Sequence, residues 1–250
     1  DDDAPAVRRA AWVYLIATHI GTACLFAAFA LLHTLNGNYL LQRPTSGAST
    51  SVVFVLALIG FGLKAGLVPL HFWLPAAHAS APSHVSALMS GVMLKMGIYG
   101  LLRIATLDTT PPVWWGVLLA TLGALSAVLG IALAAGQSDL KRALAYSSIE
   151  NVGIITLGLG LALVGRAAHQ PLWVVLGFAG SLYHLLSHAA FKSLLFLASG
   201  NVAHATHTRD MDTLGGLLHR MPYTGNLFII GALAASGVPL LNGFIGEWLI

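Results

Sequence analysis

The chain has 250 residues, 57% of them hydrophobic and only 8% charged, with a formal net charge of +3. A soluble domain carries about 25% charged residues, so a water-soluble enzyme is excluded, and so small a charge without a basic run or an aromatic platform excludes a nucleic-acid binder. A single cysteine, Cys24, excludes a disulfide framework and a thiolate-held iron–sulfur or nickel centre; no cofactor or metal is assigned, and any redox centre is expected in a partner.

The apolar runs are long and rich in Leu, Ala and Gly, which reads as helical spans and not as the short alternating segments of a β-barrel. Seven spans are expected, at 11–33, 51–77, 83–105, 113–135, 143–164, 171–200 and 222–250. Turn chemistry separates them: Asn36-Gly37 with Pro44, Asp108 through Pro112, Gly136-Gln137-Ser138, and the polar stretch His204 to Pro222. The chain opens on Asp1 with no signal-peptide pattern and ends on Ile250 inside an apolar run, so an internal piece of a longer protein is expected. Starting inside puts Arg8, Arg9, Lys141, Arg142, Arg209 and Arg220 on the cytoplasmic side and Arg43, Arg103 and Arg166 on the other, six against three. The first residue is therefore expected in the cytoplasm.

Two spans read as broken. The second carries Pro69 and Pro75; the seventh carries Gly237, Pro239, Asn242 and Gly243. Proline inside a helix removes a backbone bond, and in lipid that is tolerated where protein or water satisfies the freed groups. Paired interrupted helices mark the two halves of an inverted repeat in transporters. These two are five spans apart, as a five-helix repeat requires.

Lys64, Lys95 and Lys192 lie within apolar runs, and Glu247 lies within the last one. An ionisable group at bilayer depth costs about 2.5–3.5 kcal/mol on insertion scales, and chains keep such groups where they move ions or where they pair. Lys64 stands five residues before Pro69, where an unwound turn would offer carbonyls and water to its ammonium; the alternative is a lysine reaching to the headgroups. Lys95, mid-span, reads as a proton relay or as half of a salt bridge to another helix. His184, His188 and Lys192 are spaced i, i+4, i+8, one stripe roughly 12 Å long. Histidine is the side chain best matched to proton exchange near neutral pH; the alternative is a pair of histidines bonded to backbone carbonyls. Two histidines without a carboxylate make a weak metal set.

Glu247, after the second break, reads as a transfer group or as an ion-pair partner of another subunit. Glu150, flanked by Ser147, Ser148 and Asn151, reads equally as a channel member or as an interfacial carboxylate. His71, His78 and His84, around HFWLPAAHASAPSH, line a span end or form a proton port. His204, His207 and His219 read as solvated loop residues. There is no Walker loop, GxGxxG or HExxH, and no third group orients a serine and histidine as a hydrolytic triad.

Four segments, GLKAGLVPLHFWLPAAHASAPSHVSALMSGVMLKMGIYGLLR, SDLKRALAYSSIENVGI, HAAFKSLLFLASGNVAH and GVPLLNGFIGEW, resemble the antiporter-like membrane subunits of the complex I superfamily. PSHVSALMSGVMLK and YSSIENVGI are most similar to the large membrane subunit of hydrogenase-4 and formate hydrogenlyase complexes. The resemblance implies an all-α, polytopic membrane fold of two inverted five-helix repeats with helices seven and twelve interrupted. Residues 1–105 would close the first repeat (helices six to eight, broken near 64–75), and residues 106–250 would supply most of the second (helices nine to twelve, broken near 237–243). It further implies that Lys64 and Lys95 are the lysines of helices seven and eight, His188 and Lys192 the central pair, and Glu247 the ionisable group of helix twelve. The helix-five glutamate that pairs with the helix-seven lysine would lie before Asp1.

The function so implied is proton translocation by a non-redox subunit in a prokaryotic inner membrane. The implied partners are further membrane subunits and a peripheral arm, a nickel–iron hydrogenase or otherwise an NADH/quinone module. A stand-alone sodium/proton antiporter and a purely structural membrane anchor are the other readings.

Overall fold

The computed structural model describes residues 4–42, 47–108 and 110–250. Arg43 and Pro44, expected in the first outer connection, and Thr109, in the third, lie outside them. Among the described residues every regular element is helical: α1 Pro5–Asn36, α2 Gly47–Ala65, α3 Leu74–Ser80, α4 Ser83–Leu88, α5 Leu94–Ala105, α6 Val113–Ala135, α7 Leu140–Ala167, α8 Pro171–Thr206, α9 Leu217–Arg220, α10 Pro222–Ala235 and α11 Asn242–Leu249. A π turn, Met89–Met93, joins α4 to α5 without ending the span. Five runs are long and apolar enough to cross a membrane: α1, Ser83–Ala105, α6, α7 and α8. The other two expected spans are each divided, into α2 with α3 and into α10 with α11.

Local chemistry sets the helix ends. Proline opens α1, α8 and α10, where its missing N–H costs nothing. Asp139 caps α7, its carboxylate accepting from the amides of Lys141 and Arg142 at 2.9 and 3.0 Å. α1 stops at left-handed Gly37. α8 runs to Thr206, six residues past the expected limit, so His204 is helical and not part of a loop.

Helices α6 and α7 meet backbone to backbone. A Cβ on Gly123 would lie 2.7 Å from the Gly153 carbonyl, and Gly116 and Gly130 abut Gly160 and Glu150 in the same way. Small residues at this spacing let apolar helices gain contact area in a solvent that supplies no hydrophobic drive. Beside this seam Phe54 stacks on Trp115 at 4.2 Å. The sidedness agrees with the expected alternation. Arg103 reaches the Leu41 carbonyl and Arg166 the Asp108 carbonyl at one end; Arg209 meets Asp139 at the other.

The two breaks are built differently. α2 ends at left-handed Gly66 (φ 75°). Its freed Leu63 carbonyl accepts from the Trp73 indole at 2.9 Å, and the Val68 amide donates to Ser126 Oγ of α6 at 3.0 Å. Protein groups fill the role expected of Lys64 and water. The second break turns through left-handed Gly237 and Leu240 (φ 63° and 76°), and Ser187 of α8 donates to the Asn242 carbonyl at 3.1 Å.

Candidate functional site

The π turn is the first element to build. One extra residue per turn misaligns the backbone ladder, and the Ser90 carbonyl is taken by the ammonium of Lys95. That bond holds Lys95, 8% exposed, against α8, where its Nζ lies 2.9 Å from His188 Nδ1. One turn further along α8, Lys192 is wholly buried. It donates to Ser147 Oγ and, at 3.4 Å, to the Leu144 carbonyl, both on α7. Ser148 also donates to Leu144 O at 2.9 Å, so the 3.0 Å bond between Ser148 and Ser90 has Ser90 as donor. Hydroxyl and carbonyl oxygens and one imidazole nitrogen thus solvate two buried amines.

His184, one turn in the other direction, is equally buried. Its Nε2 lies 3.0 Å from Asn151 Oδ1, while Asn151 Nδ2 donates to the Ser147 carbonyl at 2.8 Å. The amide is thereby oriented, and Nε2 is the donor. The other nitrogen, Nδ1, faces α11 at Gly246 and has no hydrogen-bond partner among the described residues. Gly246 makes this approach possible, since a Cβ there would lie 2.6 Å from His184 Cβ. The next residue, Glu247, is half-buried and folds its carboxylate over Gly237 at the break. Glu150, half-buried on α7, lies within electrostatic reach of both Lys192 and Glu247. Among the described residues neither Lys95 nor Lys192 forms a salt bridge; Glu150 is the acidic group acting on Lys192.

The structure thus brings together Lys95, His184, His188, Lys192, Glu150 and Glu247. The expected stripe is present as a face, but its members do not bond along it. Each reaches sideways to α5, α7 or α11, because residues four apart on a helix stand about 5–6 Å from each other at Cβ. Lys64 stands apart. It is exposed at the end of α2, beside a 30 Å³ cavity that it shares with Thr18 and Thr22 of α1. His84 is exposed and His71 half-buried.

Ser90 was not singled out in the sequence, Ser147 and Asn151 stood there only as neighbours of Glu150, and His78 stood with His71 and His84 at a span end or proton port. Ser90 depends on the π turn, which has no sequence signal here. Ser147 with Asn151 could have been found as polar residues four apart inside an apolar run. His78 is wholly buried and stacked on Phe196 at 4.6 Å, and neither ring nitrogen has a hydrogen-bond partner among the described residues.

A single proton can be held on either side of the Lys95–His188 contact. With the proton on Lys95, Nζ donates to Nδ1; with it on His188, Nδ1 donates to a neutral amine. A change in charge at Lys192 or Glu150 biases that choice, since unit charges interact strongly away from water.

A family model described as NADH:quinone oxidoreductase/Mrp antiporter, TM, matches residues 2–250. The chain is 48% identical over 247 residues to hydrogenase-4 component B of Escherichia coli K12, covering 96% of this chain and 37% of that protein. It is 45% identical over 235 residues to formate hydrogenlyase subunit 3 of the same organism, covering 92% and 39%. A chain of the membrane-bound sulfane sulfur reductase, an archaeal respiratory membrane complex, superposes with a TM-score of 0.89 at 28% identity, covering 99% of this chain and 50% of that one. The chain therefore spans about two fifths of the length of these two curated relatives.

Proposed function

Because the chain belongs to the NADH:quinone oxidoreductase/Mrp antiporter membrane family, we propose that it forms the central proton route of a hydrogenase-4 or formate hydrogenlyase-type membrane subunit. Protons pass between Lys95 and His188, on to Lys192 and His184, and leave by Glu150 and Glu247 at the second break. Lys64 serves as a separate relay on the α1–α2 face, an assignment that rests on family resemblance. Residues 1–105 and 106–250 belong to successive inverted repeats, a division supported by the two breaks five spans apart. Redox partners, a nickel–iron arm by analogy with the hydrogenase relatives, supply the driving force.

The observation that carries this reading is the 2.9 Å contact between Lys95 and His188, buried beside an amine whose hydrogen-bond partners are neutral oxygens. An isolated structural lysine at this depth would be expected to pair with a carboxylate. The test is proton uptake by proteoliposomes of the intact complex during turnover. Lys192→Met and Lys95→Met should each cut uptake at least tenfold while electron transfer in the arm continues. Wild-type uptake in both variants would refute the route.

The Mrp half of the family description favours one second reading, cation/proton exchange without a redox arm. It requires that an imposed sodium gradient alone move protons in the same vesicles, and that Lys192→Met stop it.

A further inference from the structure

Residues 207–221, which join α8 to α10 on the side of the first residue, fold over an apolar groove. Asp210 pairs with Asp139 in an antiparallel bridge; the Leu140 amide donates to the Arg209 carbonyl and the Met211 amide to the Ser138 carbonyl, each at 2.9 Å. Side chains alternate along extended backbone, and here they sort by polarity. Asp210 and Asp212 line a polar cavity of 810 Å³. Met211 lines a separate one of 270 Å³, with Val202 of α8, Leu217 and Leu218 of α9, and Phe228 and Ile229 of α10. α9 can lie on α10 because Gly225 has no side chain: a Cβ there would stand 3.0 Å from Leu218 Cδ1. From Met221 to Ile229 the groove follows α10 for about 12 Å, the rise of eight helical residues. Thr224 is the one polar side chain in its lining among the described residues. Leu218 and Ile229 remain 45% and 43% exposed, so the groove is open to its surroundings.

The rim is basic. His219 and Arg220 follow Leu217 and Leu218 on the single turn of α9; both are exposed, and neither is in an ion pair among the described residues. The nearby acids, Asp210 and Asp212, line the other cavity. A helix is about 10–12 Å across with its side chains, too wide for a groove of 270 Å³; a single hydrocarbon chain fits it. We propose that the groove seats one acyl chain of an anionic phospholipid from the leaflet on the side of the first residue, with the phosphate held by Arg220 and His219. α10 enters the membrane where this groove begins, so a tail in the groove runs down the span while its headgroup stays level with α9. Basic residues beside a membrane span select anionic headgroups, and one arginine at such a surface is worth roughly fivefold in binding. A zwitterionic lipid supplies the same tail without that gain.

The site lies outside the buried file, and its test reads labelling and not proton movement, so it is independent of the route proposed above. Intact complex is reconstituted in phosphatidylcholine vesicles with a trace of photoreactive lipid, a diazirine in the acyl chain of either phosphatidylglycerol or phosphatidylcholine. After illumination, labelled peptides are mapped. Residues 211–229 should take the phosphatidylglycerol probe at least fivefold more than the phosphatidylcholine probe. The exposed face of α1, with Trp12 and Phe26, is the reference and should take both alike. Arg220→Gln should cut the preference severalfold, and Arg220→Lys should keep it, because a point charge suffices for a headgroup. Thr224→Trp, which fills the groove, should remove labelling of 211–229 by both probes. Equal labelling of 211–229 by the two probes overturns the proposal, as does an undiminished preference in Arg220→Gln. Labelling of α1 without any at 211–229 shows that protein covers the groove, and overturns it too. Should the variants not assemble, the wild-type complex decides by salt: the preference should shrink as ionic strength rises, and a preference indifferent to salt refutes the charged rim.

Discussion

The two interrupted spans share a sequence signature and have opposite construction. At the first, Gly66 and Pro69 open the helix and the protein closes it again: Trp73 takes the Leu63 carbonyl and Ser126 takes the Val68 amide. Leu67, Trp73 and Leu74 are all buried there. At the second, Gly237 and Pro239 open a turn that stays half-exposed, and the neighbouring charge, Glu247, leans directly on its backbone. The lysine beside the sealed break is exposed beside α1; the carboxylate beside the open break lies over Gly237, within electrostatic reach of Glu150. A broken helix in lipid is therefore not by itself a site. What matters is whether the freed polar groups are consumed by side chains or left facing a titratable neighbour.

That contrast is broken most severely at the seal. Trp73 combines near-complete burial, the indole bond to Leu63 and a 5.0 Å ring contact with Tyr14. Trp73→Ala removes all three, and core truncations of this size cost about 3–5 kcal/mol. The expected result is a large fall in the thermal midpoint of the purified complex, or failure to recover the subunit at all. An unchanged midpoint would mean that the seal is decorative. Ser126→Ala is the milder version. The hydroxyl accepts from Val68 N and donates to Leu122 O at 2.7 Å, and its loss strands a buried amide at about 1–3 kcal/mol. Stability should fall here too, with proton uptake per surviving complex retained.

Much of this architecture was legible in advance. Five of the seven expected spans are single long apolar runs and the other two are divided at the expected breaks, and Lys95, His184, His188 and Lys192 are buried, because long apolar runs and misplaced charges are local signals. The partners were not legible. Nothing in MSGVM announces the π turn that aims Lys95, since a one-residue register change has no compositional cost. Lys141 was counted as a cytoplasmic-side charge, and its burial was not legible, because the positive-inside rule counts lysines without asking where their side chains go. The surroundings of Lys64 were not legible: a proline five residues downstream suggested an unwound turn offering carbonyls and water, and only the distant Trp73 and Ser126 reveal that the Leu63 carbonyl and the Val68 amide are taken by side chains. Glu150 became informative only when Glu247, nearly a hundred residues later, was brought near it.

The open break is sharpened by Gly237→Ala. The position needs a left-handed backbone, which costs an ordinary residue about 1–2 kcal/mol, and the added methyl would collide with the Glu247 carboxylate. The stability loss should be smaller than at Ser126 or comparable to it, but proton uptake should drop severalfold because the exit carboxylate is displaced. Uptake at the wild-type level would show that Glu247 does not need its place over the turn.

The smallest structural effect belongs to Lys64, and it bears most directly on the comparison. An exposed side chain at the end of α2, with no hydrogen bond among the described residues to the second half of its own broken span, should tolerate replacement by methionine within about 0.5 kcal/mol. The thermal midpoint should therefore not move. Proton uptake separates the remaining possibilities. If Lys64 is a relay on the α1–α2 face, Lys64→Met lowers uptake although the fold is intact, and Lys64→Arg does not restore it, since arginine stays protonated. If Lys64 only reaches for headgroups, both variants pump like wild type, and the route reduces to the file between Lys95 and Glu247. In that outcome the sealed break is a structural joint, and the chemistry belongs to the open break alone.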